Sequence, residues 1–456
     1  MTPREILREC YASAIAAAHG ERLLRRNARC AVVRCGNNRD GVAPLWSYED
    51  TERGLRLDVP MPSTGRGRVW IFGAGKACVA LAAGLHASLS VPPYGGVLIT
   101  KYGHGGSVPG LDVIEAGHPF PDRAGLDATA HLLARAAEVE PDDVVFFCLT
   151  GGASALLVKP APGLTLDDKI RVTERLLASG ADIHEINTVR RRLSAVKGGR
   201  LRRFFAARRV VTLAISDVPG DDPLAIGAGP LIGAAEAPDD AWSVIVRRRL
   251  EAQLPTRVAA VLRAQRGVSE PPGARRVETD DRFVVLANNG TALRAAARRA
   301  TELGCDAKIL SDSLIGEARV AATHLVREAH TRAVARGASA LRPCLLLAGG
   351  ETTVTVRGPG RGGRNQELAL AAGLLLGADP RVTLLAAATD GSDGPTDAAG
   401  AFWDAESARK ARAAGLDLAG ALERNDSYSV FALLGDHFVT GPTGTNVMDL
   451  TLMHIV

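Results

Sequence analysis

Residues 69–88 read VWIFGAGKACVALAAGLHAS. Residues 69–72 form an apolar run short enough for a buried strand. Gly73-Ala-Gly-Lys76 then opens onto an Ala- and Leu-rich stretch, to about His86, that suits a helix. The same strand, glycine turn and helix recur along the chain. Residues 144–149 form an apolar run that ends in Thr150-Gly-Gly-Ala-Ser154. Residues 210–215 end in Ser216-Asp217, residues 344–348 in Gly349-Gly350-Glu351, and residues 382–388 in Thr389-Asp390. Strands that alternate with helices predict an α/β protein with mostly parallel sheets. In open sheets of that kind ligands bind beyond the carboxyl ends of the strands, so the residues after each strand carry the functional reading.

The rest of the chain is read more coarsely. Helices are expected over residues 3–25, 126–138, 167–178, 188–203 with a Gly198-Gly199 interruption, 241–264, 291–303, 316–335 and 366–376. Further strands are expected at 96–100, 112–116, 283–287, 308–310, 352–357, 430–434 and 448–455. Residues 27–66 read as irregular, and 271–275 as a Pro/Gly/Arg turn. At roughly 100–200 residues per domain, 456 residues suggest two to four domains. The Gly- and Pro-rich stretch ending near 235–245 places a boundary at 240, giving domains 1–240 and 241–456.

Composition removes several classes. With 46% hydrophobic and 23% charged residues the chain is not disordered. No apolar run approaches the roughly 18 residues of a membrane span. Aromatics at 4% argue against a stacking platform for single strands, and a net charge of +5 over this length does not indicate a nucleic-acid partner. Only seven of the 55 basic residues are lysine, so a retained Lys is more informative than any single Arg. Seven cysteines, several in apolar runs, are read as reduced thiols in a cytoplasmic protein. Glu5, Glu9 and Glu21 beside a short apolar stretch argue against a secretory or transit signal.

Five strand ends carry chemistry. Gly73 and Gly75 let the backbone approach a ligand, and Lys76 adds a point charge. Gly151, Gly152 and Ser154 could cradle a phosphate or carboxylate, or Ser154 could simply cap a helix. Asp217, with Asp221 and Asp222, suits Mg²⁺ or a general base, or ordinary turn chemistry. Glu351 precedes a loop with four glycines, Arg361 and Arg364, whose forks suit carboxylate or phosphate; a purely structural loop is the weaker reading. Asp390, Asp393 and Asp397 again put acids beyond a strand, without the order of an EF-hand. Together these cationic and anionic loops suit phosphoryl transfer.

Eight segments then occur in a telling order: GAGKA (73–77), LTGGASALL (149–157), SAVKGGRL (194–201), SDVPGDDP (216–223), AGGETTV (348–354), GRGGRNQELAL (360–370), ATDGSDGPTDAAGA (388–401) and GPTGTNVMDL (441–450). The chain resembles the glycerate 2-kinases of the MOFRL family, some of which carry the older label hydroxypyruvate reductase. The resemblance implies two α/β domains, the N-terminal one Rossmann-like, with the active site in the cleft between them. It implies transfer of phosphate from ATP, with Mg²⁺, to the C2 hydroxyl of D-glycerate, and a polar cluster of Lys76, Asp217, Glu351, Arg364 and Asp390. On that reading Lys76 offsets charge on the moving phosphoryl group, and Arg364 clamps that group or the substrate carboxylate. Asp217 or Asp390 takes the hydroxyl proton or holds the metal, with Asp393 a third metal candidate. Glu351 orients a cation or Arg364, and Gly151, Gly152, Ser154, Lys197 and Asn365 line the anion site. Lys197 suits a surface helix position equally well. No nucleic acid or membrane partner is expected, and the oligomeric state is left open, a homodimer included.

Two rival readings exist. An NAD(P)H-dependent hydroxypyruvate reductase would want a GxGxxG turn, but position 78 is Cys and the third Gly is absent. Its proton donor could be His104 or His118. A non-catalytic sensor would need the anion cradle but not the surplus carboxylates.

Overall fold

The computed structural model describes residues 1–34, 42–62, 67–181, 183–233, 240–266, 280–336 and 342–456. The chain divides into two compact units. The first spans Gly20–Leu286, and the second joins Met1–His19 to Ala287–Val456. The boundary expected at 240 is therefore displaced. Strand Arg282–Ala287 completes the first unit's sheet, so the chain crosses over only after it. The helix expected over residues 3–25 breaks at His19. Pro3–Ala18, started by a Thr2–Glu5 capping box, belongs to the second unit, and Gly20–Asn27 to the first. Gly20 lies against the helix Cys78–Ser88, where a Cβ would come within 2.7 Å of the Leu81 backbone.

Residues 27–66 are not irregular where described. β1 (Ala28–Arg34), β2 (Val42–Asp50) and β3 (Leu55–Pro60) pair antiparallel in the order β1-β2-β3. Alternation sets the faces, with Trp46 and Tyr48, and Leu57 and Val59, buried. The turn expected at 271–275, and Cys35, lie outside the described residues.

The first unit's main sheet contains β4 (Val69–Ala74), β5 (Val97–Lys101), β6 (Asp112–Ala116), β7 (Val144–Thr150), β8 (Arg209–Ile215) and β9 (Arg282–Ala287). Its order is β6-β5-β4-β7-β8-β9, and the pairs from β6 to β8 are all parallel. Numbered within the sheet this is 3-2-1-4-5-6, the Rossmann order, with the switch point between β4 and β7. Residues such as Trp70, Phe72, Val145 and Phe147 bury the sheet on an apolar core.

The second unit's sheet contains β10 (Asp306–Leu314), β11 (Cys344–Gly350), β12 (Val382–Ala388), β13 (Gly400–Trp403), β14 (His437–Phe438) and β15 (Asp449–Ile455), in the order β10-β11-β15-β12-β13-β14. It is mixed rather than mostly parallel, because β15 inserts antiparallel between β11 and β12. Residues 430–434 are helical, within Ser427–Leu434. Val430, Phe431 and Leu434 are buried while Leu433 is exposed, which is a helical face. Residues 352–357 form no strand; the chain turns away at Gly350, whose φ is +145°.

Candidate active site

In the first unit, strand register collects the expected residues at the switch point. Ala74 pairs with Leu149, and Thr150 with Ile215, so the turns after β4, β7 and β8 lie side by side. Two glycines are required by that crowding. A Cβ on Gly75, at φ +129°, would sit 2.1 Å from Thr150 Oγ1, and one on Gly73 would sit 2.7 Å from the Cys148 carbonyl. Thr150 Oγ1 accepts from the Ala77 amide at 3.1 Å, and the Lys76 amide donates to the Gly151 carbonyl at 2.8 Å, which locks the two turns together. The Lys76 stem runs beside Gly152. A Cβ there would lie 3.1 Å from Lys76 Cγ and 3.1 Å from the His118 ring.

Lys197 is not a surface residue. It is 1% exposed, in the turn after the helix Ile183–Arg192. Its ammonium donates to the Ser154 carbonyl at 2.5 Å and to Ser154 Oγ at 3.2 Å. Burial, then Lys169 and Arg190, hold its pKa well below the usual lysine value. Asp217 follows β8 directly and is partly buried. Asp222 performs turn chemistry, its carboxylate accepting from the Leu224 amide at 3.0 Å.

In the second unit the register centres on a residue that the sequence reading did not single out. Asp449 opens β15 and pairs with Gly350 on one side and Ala388 on the other. Glu351 and Asp390 lie one and two residues beyond those partners. Arg364, at the start of the helix Arg364–Leu376, makes a fork to Asp449 at 2.5 and 3.0 Å and a 2.7 Å ion pair with Glu351. Burial by itself lowers the guanidinium's pKa; Asp449 and Glu351 outweigh it and raise it. GPTGTNVMDL was legible as a motif, but nothing in it marks the Asp as the partner of a distant Arg. Asn289 was also missed; its amide donates to the carbonyls of Val447 and Asp449 and fixes the start of β15.

Asp390 sits where the chain leaves β12 and is 5% exposed. Its carboxylate accepts from the Ser392 amide at 2.9 Å, and Thr443 donates to the neighbouring Thr389 carbonyl at 2.5 Å. Asp393 is 1% exposed and fully engaged. It accepts from the amide nitrogens of Asn365 and Gln366 and from both their side chains, at 2.8–3.2 Å. Asn365 thus anchors the helix start, and Asp393 cannot also serve as a metal ligand without releasing it. Burial pushes the Asp393 carboxyl up to about 6, against those amides.

The glycines of the 358–363 loop are explained by packing. Cβ atoms on Gly358 and Gly360 would meet Arg424 at 2.6 and 2.5 Å, one on Gly362 would meet Ser427 at 2.2 Å, and one on Gly363 would meet Asp393 at 2.3 Å. The expectation that this loop is built chiefly for a ligand is corrected to that extent. Arg361 lies over the Tyr428 ring at 4.2 Å, and its Nε donates to the Pro395 carbonyl at 3.3 Å.

Among the described residues no group of three or more His, Cys, Asp or Glu is placed to hold a metal. No described helix is long and apolar enough to cross a membrane, and none of the six described cysteines forms a disulfide.

A Rossmann-ordered sheet with interlocked glycine turns at its switch point, followed by a mixed-sheet unit with an Arg–carboxylate cluster, defines a class of two-unit α/β proteins. Comparison with known proteins gives it a family. Residues 6–263 match a domain of unknown function (DUF4147), and residues 344–449 match the MOFRL family. An Agrobacterium vitis protein named for hydroxypyruvate reductase is 42% identical over 386 residues, covering 84% of this chain and 98% of that one. The D-glycerate 2-kinase of Thermotoga maritima is 37% identical over 418 residues, covering 91% and 95%. The crystal structure of glycerate kinase from Thermotoga maritima superposes with a TM-score of 0.79 at 33% identity over 99% of each chain. The chain belongs to the MOFRL family of glycerate 2-kinase homologues.

Proposed function

We propose that this protein is an ATP-dependent glycerate kinase that phosphorylates the C2 hydroxyl of D-glycerate, giving 2-phosphoglycerate and ADP. The observation that carries the reading is the switch-point cradle, with Lys76 beside Gly152 and Lys197 on Ser154. The kinase names of relatives across most of the chain support it. Phosphoryl transfer depends on positioning and charge stabilisation more than on covalent chemistry. Lys76 would offset charge on the transferring group. Arg364, fixed by Asp449 and Glu351, would offer an anionic group of substrate only the N–H groups on its two terminal nitrogens that those carboxylates leave over. Asp217 or Asp390 would accept the hydroxyl proton, and the same two are the candidates to hold Mg²⁺. When bound, that ion supplies charge neutralisation on the nucleotide phosphates. The lack of a ready-made ligand cluster among the described residues suits a cation held largely by phosphates and one or two carboxylates. Described cysteines that are all outside disulfides suit a cytoplasmic setting.

The test is incubation with ATP, Mg²⁺ and D-glycerate, with the product identified by NMR. 2-Phosphoglycerate supports the reading, and 3-phosphoglycerate keeps the kinase but breaks the regiochemistry. NADH oxidation on hydroxypyruvate without phosphoryl transfer would reverse it in favour of the reductase. That rival is disfavoured by Cys78, which stands where the fingerprint's third Gly belongs. The residue is fully buried, with its thiol pushed up to about 12 by burial.

A further inference from the structure

Behind Ser154 the first unit gathers cations without acids. Lys197 and Arg190 reach the same Ser154 carbonyl, at 2.5 and 3.5 Å, and Lys197 also approaches the Leu157 carbonyl at 3.4 Å. Lys169, on the helix Leu166–Ala178, is close enough for its charge to bear on Lys197 and to feel Arg190 and Arg200. It is 7% exposed, and its buried ammonium has no hydrogen-bond partner among the described residues. Arg200 spends one nitrogen on the carbonyls of Arg191, Ser194 and Lys197. The nearby acids are committed elsewhere: Asp168 to Arg257 and Thr165, and Glu185 to Arg248. Among the described residues no carboxylate pairs with Lys169, Arg190 or Lys197.

A buried ammonium is costly unless an anion compensates it, and carbonyl dipoles compensate only in part. Lys169 and Lys197 are such groups and Arg190, partly buried, adds a third positive charge beside them, so the lysines are pushed toward the neutral form until an anion enters. We propose that Lys169, Arg190 and Lys197 form an oxyanion subsite beside Ser154 whose ligand is a phosphoryl group. The subsite deepens the kinase reading and rests on it for the source of that group, nucleotide or phosphorylated acid. An open groove of about 770 Å³ lies against neighbouring segments, lined by Thr165 and Ala195, by the basic Arg123, Lys159 and Arg203, and by the acidic Asp167. Three basic residues against one acid give that groove a net positive lining, which favours the approach of an anion.

Burial, with Arg190 and Arg200, pushes Lys169 down to about 7. An anion among these cations raises it again, so binding above that pH takes up a proton. The experiment is calorimetric titration of the full-length protein with inorganic phosphate, in buffers of different ionisation enthalpy, beside thermal melts. The wild type is expected to bind phosphate with proton uptake and to gain thermal stability from it. Lys169→Met removes an unpaired buried charge, so its melting point without phosphate should be unchanged or higher, while phosphate affinity falls by about tenfold or more. Arg190→Gln provides the same readout should Lys169→Met not fold. Displacement by ADP supports the subsite as nucleotide-borne, and displacement by 2-phosphoglycerate supports it as product-borne. Phosphate binding that is absent in the wild type, or unchanged in the variants, overturns the inference. Glycerate phosphorylation is scored separately: turnover without phosphate binding sinks the subsite alone, and phosphate binding without turnover sinks the kinase reading alone.

Discussion

In the first unit Arg190 and Lys197 share the Ser154 carbonyl and the charge of Lys169 bears on Lys197, with no carboxylate paired to them among the described residues. In the second, Arg364 is held between Glu351 and Asp449, with Asp390 and Asp393 close in sequence and register. The first set sits on helices and a turn behind Ser154, the second where strands and a helix of the mixed sheet meet, and their electrostatic states are opposite. The first has no paired carboxylate to hold its charge, so burial pushes its lysines toward the neutral form until an anion enters. The second is already neutralised internally, so its carboxylates hold the guanidinium in one geometry before any ligand arrives. Preorganisation of that kind costs no rearrangement at the moment of reaction. The contrast teaches that the first unit's contribution should appear mainly in binding and charge stabilisation, and the second's in alignment.

Lys76→Ala tests the first half most severely. Loss of one preorganised charge at the reacting group should lower kcat about 10²–10³-fold. The melting temperature should stay near wild type, because the residue is only partly buried and the turn is locked by its backbone. Near-normal turnover in a steady-state assay would remove Lys76 from the chemistry and leave the cradle as a fold element. Asp449→Asn tests the second half. It keeps the shape but weakens the fork to Arg364, so kcat should fall about tenfold to a hundredfold, the worth of a charged hydrogen bond. KM for glycerate should move less than kcat if Asp449 acts by alignment. A change in KM alone would assign the cluster to ground-state binding instead.

How much of this was readable beforehand follows from the kind of information each feature needs. The first unit's parallel strands announce themselves as apolar runs followed by glycine turns, and the candidate site residues lie next to those runs. Lys76, Gly151 and Asp217 were therefore legible from local pattern. The antiparallel β15 was legible as a strand, but not its insertion between β11 and β12, and that insertion is what turns Asp449 into Arg364's partner across 85 residues. Lys169 and Arg190 lie in amphipathic helical sequence that also describes a solvated face; the burial of Lys169 and the partial burial of Arg190 come from tertiary packing. The break at His19 was hidden because Pro3–Ala18 and Gly20–Asn27 continue one another in composition while serving different units. The hairpin strand β3 could have been found from the alternation of Leu55, Leu57 and Val59 with Arg56 and Asp58.

The glycine loop before Arg364 offers a stability test of the same contrast. If it is shaped by packing, Gly363→Ala should lower stability by about 1–3 kcal/mol, since the new Cβ would meet Asp393 at 2.3 Å and force a backbone shift. Chemical denaturation would measure it. An unchanged midpoint would return the loop to a ligand-binding role.

Asp393 gives the smallest effect and the most specific one. Its carboxyl is raised from an ordinary 3.8 to about 6, chiefly by burial, while the amides of Gln366 and Asn365 oppose the rise. Because the folded value exceeds the unfolded one, the folded state binds the proton more tightly. The stability this group contributes is fully present below the unfolded value and is lost as pH rises through about 6. Asp393→Asn removes the titration. The variant is less stable at every pH, because the side-chain amide cannot accept from all four donors, but the gap from wild type should narrow as pH rises between those two values. Melting points of both proteins across that window measure the gap. A constant gap would mean that Asp393 stays ionised throughout, with the hydrogen bonds from Asn365 and Gln366 offsetting its burial, and the second unit's cluster would then carry one more fixed negative charge against Arg364 than the contrast assumes.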